Sequence, residues 1–344
     1  MKKILVVRND KIGDFMLAWP SFAMLKHSLP DAQITALVPS YTQPLAQLCP
    51  WIDEIIVDPT EKGTPEAKKN CLEQLKQAQF DAAIALFSNR YNAQLLWKAR
   101  IPYRFAPATK WVQILYHRRI KQRRSRSLKP EFDYNLDLIR AFLADQKQAI
   151  VEPQTPYLAF SASEVKAQKA KLAQHLDLSL EKPWLMVHSG SGGSANNLSL
   201  AQYCQLLCGL AEKAQLILTA GPGEEASATT LHSLLTQAGV NSALYFKNEG
   251  LVDFSRSLAC ADAFIAGSTG PLHIAGALDV PTIGFFPAKR SATPLRWQPL
   301  NSVGRHLAFC PPPAATKEAQ ADMSRISIVQ LIPTIQAWLV KFGF

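Results

Sequence analysis

Residues 258–286 read LACADAFIAGSTGPLHIAGALDVPTIGFF. A short apolar run at 263–266 is followed by a turn with two glycines, a helical pattern at 271–278 and a second apolar run at 282–286. Two strands separated by one helix are typical of a βαβ unit, whose strands are parallel. Pro271 suits the first turn of the helix, where its missing N–H has no partner to lose. The stretch therefore predicts a parallel α/β sheet.

The same alternation extends along the chain in both directions. In the second half we predict further strands at 184–188, 215–219 and 243–246 and helices at 161–176, 199–214, 224–238, 251–260 and 326–340. In the first half we predict strands at 4–8, 33–38, 54–57 and 82–87 and helices at 15–28, 41–48, 65–79 and 131–143. Two successive alternations predict an α/β protein with two Rossmann-like domains facing a cleft.

Length and composition agree with two soluble domains. The 344 residues exceed what one core accommodates, and 48% are hydrophobic against 19% charged. We place the linker in QAIVEPQTP, residues 148–156, so that the domains are 1–155 and 156–325, with 326–344 as a final helix. No apolar run is long enough to span a bilayer, and the first one is too short for a secretory signal, so we expect a cytoplasmic protein.

The positive charge is concentrated in one part of the chain, residues 100–129, which we call the basic segment. It holds ten of the 37 Lys and Arg residues and no Asp or Glu, whereas the other 27 balance the 27 acidic residues. The formal net charge of +10 therefore arises here. Such a segment predicts an anionic partner, which is a nucleic acid, a membrane surface or a phosphorylated substrate.

Several kinds of site are disfavoured by missing motifs. The six cysteines show no CxxC spacing, which argues against a zinc site or a disulfide framework. The chain has no Asp-x-Asp pair of the kind that holds a divalent ion on a diphosphate, so we expect no metal. It also lacks a Walker A sequence and the GxGxxG fingerprint, which makes a nicotinamide oxidoreductase the least favoured class.

The first candidate site is Lys11-Ile12-Gly13-Asp14, directly after the first strand. A carboxylate at a strand end could take a proton from a substrate hydroxyl as a general base. Asp14 could instead be the N-cap of the following helix, a common role for aspartate. Spacing alone leaves both interpretations open.

The second candidate site is the turn with Ser268, Thr269 and Gly270, which opens the helix containing His273. Free N–H groups and the helix dipole there would bind an anion such as a diphosphate. The alternative is an ordinary capped turn with His273 packed in the core.

Two further turns follow strands of the second half. The Gly/Ser loop at 188–194 could present amides and the hydroxyls of Ser189 and Ser191 to phosphates, or be only a flexible loop. After the next strand, Glu224 or Glu225 could hold a ribose through its hydroxyls, or simply complement the helix dipole.

Together these segments resemble the family-nine glycosyltransferases, the bacterial ADP-heptose:lipopolysaccharide heptosyltransferases. The resemblance lies in KILVVRNDKIGDFMLAWPSFAMLK at 3–26, in LKPEFDYNLDLI at 128–139 with Glu131 and Asn135, and in the stretch at 258–286. It implies a GT-B fold with an acceptor-binding first domain, a donor-binding second domain and a last helix that crosses back to the first domain. It also implies an inverting transfer without a metal or cofactor, the ADP-sugar being a substrate.

The resemblance assigns a role to each candidate. Asp14 matches the proposed base, Thr269 and Gly270 would stabilise the leaving diphosphate, His273 matches a donor-site histidine, and Glu224 or Glu225 matches the ribose-binding acid. The anionic lipopolysaccharide core would be bound at the cytoplasmic face of the inner membrane by Lys11, Arg118, Arg119, Arg123 and Arg124. Trp111, Tyr116 and Tyr103 lie among these cations in the sequence and could stack on sugars or lie at the membrane interface.

The chain departs from the family pattern at two places. Ser268 stands where the family has Asp, and Ala195-Asn196-Asn197-Leu198-Ser199 lacks the Lys that the family often carries. A sugar-nucleotide binder without turnover is therefore one alternative, and a protein that binds nucleic acid through the basic segment is another.

Overall fold

The computed structural model describes residues 1–108, 111–193, 196–246 and 248–344, and only the backbone of residue 113. The chain divides into two compact units, Met1–Gln154 and Thr155–Phe344. This division falls inside the segment at 148–156 where we placed the linker. Lys110 of the basic segment and Ser194 of the Gly/Ser loop lie outside the described residues.

The first unit contains one parallel six-stranded sheet with the strand order β3-β2-β1-β4-β5-β6. Its strands are β1 Lys3–Val7, β2 Gln33–Pro39, β3 Glu54–Asp58, β4 Ala82–Ala85, β5 Tyr103–Pro107 and β6 Arg118–Ile120. Its helices are α1 Ile12–Met16, α2 Trp19–Ser28, α3 Gln43–Leu48, α4 Pro65–Ala78, α5 Arg90–Lys98 and α6 Glu131–Asp145. The order reverses between β1 and β4, and ligands of such sheets bind at the carboxyl ends of the strands at this point.

The apolar run of β1 is continuous because neighbouring elements cover the strand. Residues from Ile4 to Val7 are fully buried, β1 lies between β2 and β4, and α4 and α5 contribute apolar side chains to the same core. The first polar residues after β1 therefore emerge at the sheet edge where ligands bind.

The second unit repeats this architecture with the strand order β12-β11-β10-β7-β8-β9. Its strands are β7 Trp184–His188, β8 Gln215–Thr219, β9 Ser242–Tyr245, β10 Ala263–Gly267, β11 Thr282–Phe285 and β12 His306–Phe309. Its helices are α7 Ala162–Leu176, α8 Leu200–Cys208, α9 Glu225–Gln237, α10 Leu251–Leu258, α11 Gly270–Ala277, α12 Lys317–Ala321 and α13 Ile328–Leu339. Here β7 and β10 flank the reversal, so the loops that follow them are the expected binding loops.

The last helix, α13, lies in the second unit, which extends over Thr155–Phe344. The expectation that residues 326–344 pack back on the first domain stays a prediction. Ile328, Ile335 and Leu339 of α13 are buried in the core that β7, β8 and α8 form, and this apolar face fixes where the helix packs.

Other element boundaries differ locally from the predictions. The helix predicted at 15–28 is two helices, α1 and α2, and Pro20 lies in the first turn of the second. The strands β5, β6 and β12 and the helices α5 and α12 were not predicted. All six cysteines are free. Within the described residues, no helix has both the length and the apolar character needed to cross a bilayer.

Candidate active site

A buried guanidinium lies beside Asp14 at the carboxyl end of β1. Arg8 follows β1 and is 2% exposed. Its Nη2 donates to Oδ1 of Asp14 at 2.6 Å, and its Nε donates to Oδ1 of Asp10 at 2.8 Å. Among the described residues, Oδ2 of Asp14 has no hydrogen-bond partner. Arg8 therefore fixes one carboxylate oxygen and leaves the other available.

Asp14 is not an N-cap. The N-cap of α1 is Lys11, whose side chain makes no capping hydrogen bond, and Asp14 is the third residue of the helix. Its side chain is 16% exposed, so the carboxylate is mostly enclosed but still in contact with solvent. The capping interpretation is wrong because this carboxylate accepts from Arg8 instead of from the helix backbone.

Helix α6 adds two polar side chains to this cluster, Glu131 and Asn135, and Arg124 adds a second guanidinium. Oε1 of Glu131 accepts from Nη1 of Arg124 at 2.6 Å and from Nη1 of Arg8 at 3.4 Å. Oδ1 of Asn135 accepts from both guanidinium groups at 3.3 Å, and its Nδ2 donates to the carbonyl oxygen of Leu17. Glu131 and Asn135 of α6 thus hold Arg8 in place at the start of the turn between β1 and α1.

The cluster holds three carboxylates and two guanidinium groups, and this imbalance affects titration. Burial raises the pKa of Asp14, and the charge of Glu131 raises it further, while Arg8 opposes both. Burial also raises the pKa of Asp10, to about 7. Burial works to lower the pKa of Arg8, but the surrounding carboxylates outweigh it and raise that pKa. A proton acceptor with a raised pKa suits general-base chemistry near neutral pH.

A second network supports the loop that follows β1. The Asn9 amide exchanges hydrogen bonds with Asn92 at 2.7 and 2.8 Å and also donates to Asp58. Tyr91 donates to the other oxygen of Asp58 at 2.7 Å. These contacts anchor residue 9 on both sides, so the neighbouring Arg8 and Asp10 are held in place.

In the second unit, the Gly/Ser loop is held by Glu224. The Glu224 carboxylate lies 3.1 Å from Nε2 of His188 and accepts from the N–H groups of Gly192 and Gly221. The His188 hydrogen bond, with those two N–H groups, lowers the pKa of Glu224 to about 2. The loop is therefore tied at its start and middle to the turn after β8. Glu225, in the first turn of α9, is exposed.

Close backbone approach explains two glycines of these loops. A Cβ on Gly190 would lie 2.2 Å from Cδ of Glu224, and a Cβ on Gly267 would lie 2.6 Å from Oδ1 of Asn197. Asn197 donates to the carbonyl oxygens of Ser189 and Gly190 at 2.9 and 3.3 Å. The described part of the loop is thus held in one conformation by hydrogen bonds and close packing. It does not fit the interpretation as a flexible loop.

The turn after β10 leaves backbone donors open. The N-cap of α11 is Thr269, whose hydroxyl makes no capping hydrogen bond and lies 3.4 Å from the Gly267 carbonyl oxygen. The N–H groups of Gly270 and Leu272 have no partner among the described residues. Ser268 is half-buried beside them. This arrangement favours the predicted anion site over a side-chain-capped turn.

His273 lies in the core at the start of α11. It is 2% exposed, and burial, with the nearby His306, lowers its pKa to about 3. The imidazole is therefore neutral at pH 7 and adds no positive charge to an anion site. Among the described residues, no three His, Cys, Asp or Glu side chains are placed to hold a metal ion.

Comparison with known proteins shows the family of this chain. Residues 70–325 match glycosyltransferase family 9 (heptosyltransferase). The chain belongs to glycosyltransferase family 9. A "putative glycosyltransferase" of Haemophilus influenzae is 54% identical over 341 residues, 98% of this chain and 97% of that protein.

Two more distant proteins carry more specific names. Lipopolysaccharide heptosyltransferase 2 of Salmonella typhimurium is 24% identical over 309 residues, 85% of each chain. The structure of the E. coli ADP-heptose lipopolysaccharide heptosyltransferase II is similar with a TM-score of 0.76, 20% identity and 99% of each chain covered. The predicted GT-B fold is confirmed, and this family 9 chain is a glycosyltransferase.

Some of the cations predicted to bind an acceptor are paired with carboxylates in this family 9 structure, and others are exposed. Arg124 is engaged with Glu131, and Arg118 pairs with Asp145 at 2.9 Å. The side chains of Lys11, Arg119 and Arg123 are exposed, and those of Arg119 and Arg123 have no hydrogen-bond or ion-pair partner among the described residues. The charge of Lys11 acts on Asp14 and opposes the rise in its pKa. Of the aromatic residues predicted to stack on sugars, Tyr116 is buried, and Tyr103 donates to Asp145 at 3.0 Å. Of these three described residues, only Trp111 exposes most of its side chain for stacking on a sugar.

Sequence reasoning missed Arg8 and Asn197 as parts of these clusters. Arg8 was assigned to the end of the first strand, although a charged residue directly after a buried strand is itself a signal for a binding edge. Asn197 was noted only because no lysine stands there. Its role depends on a contact with Gly267, which no local pattern reports.

Proposed function

We propose that this chain is an inverting, metal-independent glycosyltransferase that moves a heptose or a related sugar from an ADP-sugar to a lipopolysaccharide inner-core acceptor. The observation that carries the proposal is Asp14, whose Oδ1 accepts from buried Arg8 while Oδ2 has no partner among the described residues. Membership of family 9 and the names of the two distant relatives support the substrate classes.

In the proposed reaction, Asp14 takes the proton of an acceptor hydroxyl. The hydroxyl oxygen attacks the anomeric carbon from the face opposite the nucleotide, the bond from that carbon to the diphosphate oxygen breaks, and ADP leaves with the bonding pair. The configuration at the anomeric carbon is thereby inverted. Arg8 remains hydrogen-bonded to Asp14 and holds the carboxylate in one orientation.

The leaving diphosphate gains negative charge during this step. The free N–H groups of Gly270 and Leu272, with the dipole of α11, would stabilise it. The N–H group of Thr269 already donates to the carbonyl oxygen of Gly267 at 2.8 Å, so Thr269 does not supply the free amide that was expected of it. The hydroxyls of Ser189 and Ser191 would add neutral donors, which are weaker partners of phosphate than a cation. We propose that the donor is bound as a substrate and that no resident cofactor or metal takes part.

We propose that both Glu224 and Glu225 can bind ribose hydroxyls, as expected of the ribose-binding acid. Glu224 is ionised, but its oxygens already bind His188, Gly192 and Gly221. A carboxylate retains further acceptor positions, so it can bind one ribose hydroxyl from its solvent side. Glu225, one residue further along, is exposed, and its carboxylate makes no contact with the described residues.

We propose that exposed Lys11, Arg119 and Arg123 bind the acidic groups of the acceptor. Arg124 and Arg118 hold Glu131 and Asp145 instead, so their contribution is to position the segment around the acceptor. Because the acceptor is anchored in a bilayer, the enzyme would work at the cytoplasmic face of the inner membrane.

The direct test is transfer with defined substrates. The chain is incubated with ADP-heptose and with lipopolysaccharide from a heptose-deficient strain, and the product mass and released ADP are measured. Acceptor-dependent ADP release with addition of one heptose supports the proposal. Binding of ADP-heptose without turnover on any core acceptor would instead identify a sugar-nucleotide binder, the function favoured by Ser268 and by the missing lysine.

A further inference from the structure

Most loops at the carboxyl edge of the second sheet carry no positive charge. No Lys or Arg occurs in the loops that follow β7, β8, β10 and β12, which are residues 189–199, 220–224, 268–269 and 310–316. The loop after β9 contains Lys247, which lies outside the described residues. His273 is neutral at pH 7, and the ionised Glu224 adds a negative charge beside the Gly/Ser loop. A diphosphate at this edge therefore meets backbone dipoles but no cation from the described residues of these loops.

The loop after β11 differs from the others in its charge. This β11 loop, residues 286–299, contains Lys289, Arg290 and Arg296 and no acidic residue. Arg296 is buried and lies over the ring of Trp297. Lys289 is half-buried and Arg290 is exposed, and neither has a hydrogen-bond or ion-pair partner among the described residues. These two cations are thus available to an external anion.

The start of the β11 loop lies beside the turn after β10. Phe285, the last residue of β11, is the register partner of Gly267, the last residue of β10. The N–H group of Ser268 donates to the carbonyl oxygen of Phe285 at 3.1 Å. The β11 loop therefore leaves the sheet next to the turn whose free N–H groups favour an anion.

Hydrogen bonds to two consecutive residues also bring this loop close to the segment after the Gly/Ser loop. The N–H group of Ala288 donates to the carbonyl oxygen of Gln320 at 2.7 Å. Nδ2 of Asn196 donates to the carbonyl oxygen of Ala321 at 2.8 Å. The Cα atoms of consecutive residues are about 3.8 Å apart, so Ala288 and Asn196 are held near each other. Lys289, which follows Ala288, is thus placed between the two loops that surround the turn.

The β11 loop is folded back on itself at two points. The N–H group of Ala292 donates to the carbonyl oxygen of Lys289 at 2.8 Å, and Nε1 of Trp297 donates to the carbonyl oxygen of Ser291 at 2.8 Å. A loop that is already ordered loses less conformational entropy when it binds a ligand. This loop can therefore hold its two cations in place before the ligand arrives.

We propose that Lys289 and Arg290 bind the diphosphate of the nucleotide-sugar donor, together with the free N–H groups of Gly270 and Leu272. This inference rests on the proposed function, because the diphosphate belongs to the donor named there. Hydrogen bonds between a cation and phosphate are about twice as strong as neutral ones. As the bond from the sugar to the diphosphate breaks, the two cations neutralise the charge that the leaving group gains.

The test is the binding of ADP to the full chain without an acceptor, measured by isothermal titration calorimetry. The variant K289Q/R290Q removes both charges and keeps polar side chains of similar length. We expect it to bind ADP at least about tenfold more weakly than the wild type, because hydrogen bonds to charged groups are lost. Binding of ADP by K289Q/R290Q with the affinity of the wild type would overturn the proposal.

Two further variants separate the charges from other effects of the substitutions. K289R/R290K keeps both charges and should recover most of the affinity. The matched control K182Q/K213Q removes two exposed lysines that precede β7 and β8, at the opposite edge of the sheet, and should bind ADP like the wild type. Thermal unfolding without ligand checks the fold of each variant. An equal loss of affinity in K182Q/K213Q would contradict a specific role of the β11 loop.

Salt dependence provides a readout that a merely structural role would not change. Salt screens exposed charges, so the affinity of the wild type for ADP should fall as the salt concentration rises from about 0.05 M to about 0.5 M. The affinity of K289Q/R290Q should fall less over the same range. Parallel salt dependences of the two proteins would contradict a direct contact between these cations and the diphosphate.

UDP and GDP distinguish this inference from the proposed function. If the wild type binds UDP or GDP instead of ADP, the proposed donor is wrong, and a tenfold loss with that nucleotide in K289Q/R290Q supports the inference. If ADP binds but no acceptor receives a sugar, the proposed transfer is wrong, and weaker ADP binding by K289Q/R290Q again supports the inference. A wild-type chain that binds none of the three nucleotides contradicts both.

Discussion

At the residue scale, the raised pKa of Asp14 determines how activity depends on pH. A general base must be ionised, so kcat/KM should fall as pH drops through a value above the ordinary range of aspartate. Burial is the main cause of the rise, and Glu131 adds to it. Replacing Glu131 by Gln removes a like charge, which lowers the pKa of Asp14 and moves the acidic limb of the profile to lower pH.

The matched control for this pH experiment is Asp133→Asn. Asp133 lies on the same helix and pairs with Arg140 and Lys129, away from the carboxylate cluster. Its substitution should leave the acidic limb in place. An acidic limb that E131Q leaves unmoved, or shifts to higher pH, contradicts the assignment of that limb to Asp14.

Glu224 gives a prediction about stability and pH. The pKa of its carboxyl is about 2 in the folded protein against 4.5 without partners, so its contribution is present above pH 4.5 and is lost as pH falls towards 2. Glu224→Gln should lower the free energy of unfolding by about 2 kcal/mol at neutral pH, the range for lost charged hydrogen bonds. The difference from the wild type should shrink between pH 4.5 and pH 2.

Denaturant titration at several pH values measures this effect. Exposed Glu225 provides the comparison, because E225Q should change the free energy of unfolding by no more than about 0.5 kcal/mol. A Glu224→Gln protein as stable as the wild type at neutral pH would show that the carboxylate does not hold the loop.

At the element scale, Asn197 joins the loop after β7 to the end of β10. It donates to two loop carbonyl oxygens and accepts from the Tyr203 hydroxyl at 2.8 Å and from the Leu198 N–H at 2.9 Å. Asn197→Ala should lower Tm by about 6 °C, the result expected from a loss of about 2 kcal/mol. The rise in Tm that ADP causes on binding should also become smaller, because the loop that carries Ser189 loses its hydrogen bonds to Asn197.

Asn196→Ala is the control for this element. Asn196 is exposed and makes one described hydrogen bond, to the carbonyl oxygen of Ala321. Its loss should change Tm little and leave stabilisation by ADP intact. Equal effects of N196A and N197A would mean that the loop does not depend on Asn197.

Continuous burial made β1 and β7 predictable from the sequence, although the edge strands β3 and β9, which are only partly buried, were predicted as well. β1 and β7 are covered on both sides by neighbouring strands, and such strands read as uninterrupted apolar runs. β6 and β12 lie at sheet edges and are three and four residues long, with Arg118-Arg119 in one and His306 in the other. No period or apolar run marks such strands, so tertiary pairing alone defines them.

The candidate site was predictable only in part, for a related reason. Asp14 and the turn at 268–270 follow strands directly, so their position relative to the sheet could be read from the sequence. The contacts of Arg8 with Glu131 and Asn135 join residues more than a hundred positions apart. The contact of Arg8 with Asp14 joins residues only six positions apart, but it depends on the shape of the turn between them. Burial of His273 likewise depends on packing, which a motif match does not report.

At the scale of the whole molecule, the proposed donor specificity can be measured by ligand-induced stabilisation. ADP at about 100 times its Kd should stabilise the chain by about 2.7 kcal/mol, seen as a rise in Tm. UDP and GDP at the same concentrations should give smaller shifts. Equal stabilisation by all three nucleotides would mean that the second unit recognises the diphosphate but not the adenine.

The most direct test of the central claim compares Asp14→Asn with the wild type in the heptose-transfer assay. The substitution keeps the size of the side chain and removes its ability to accept a proton. We expect D14N to be as thermally stable and as responsive to ADP as the wild type, with transfer at least about 100-fold slower. Transfer by D14N at the wild-type rate, with donor and acceptor verified, would contradict the assignment of Asp14 as the base.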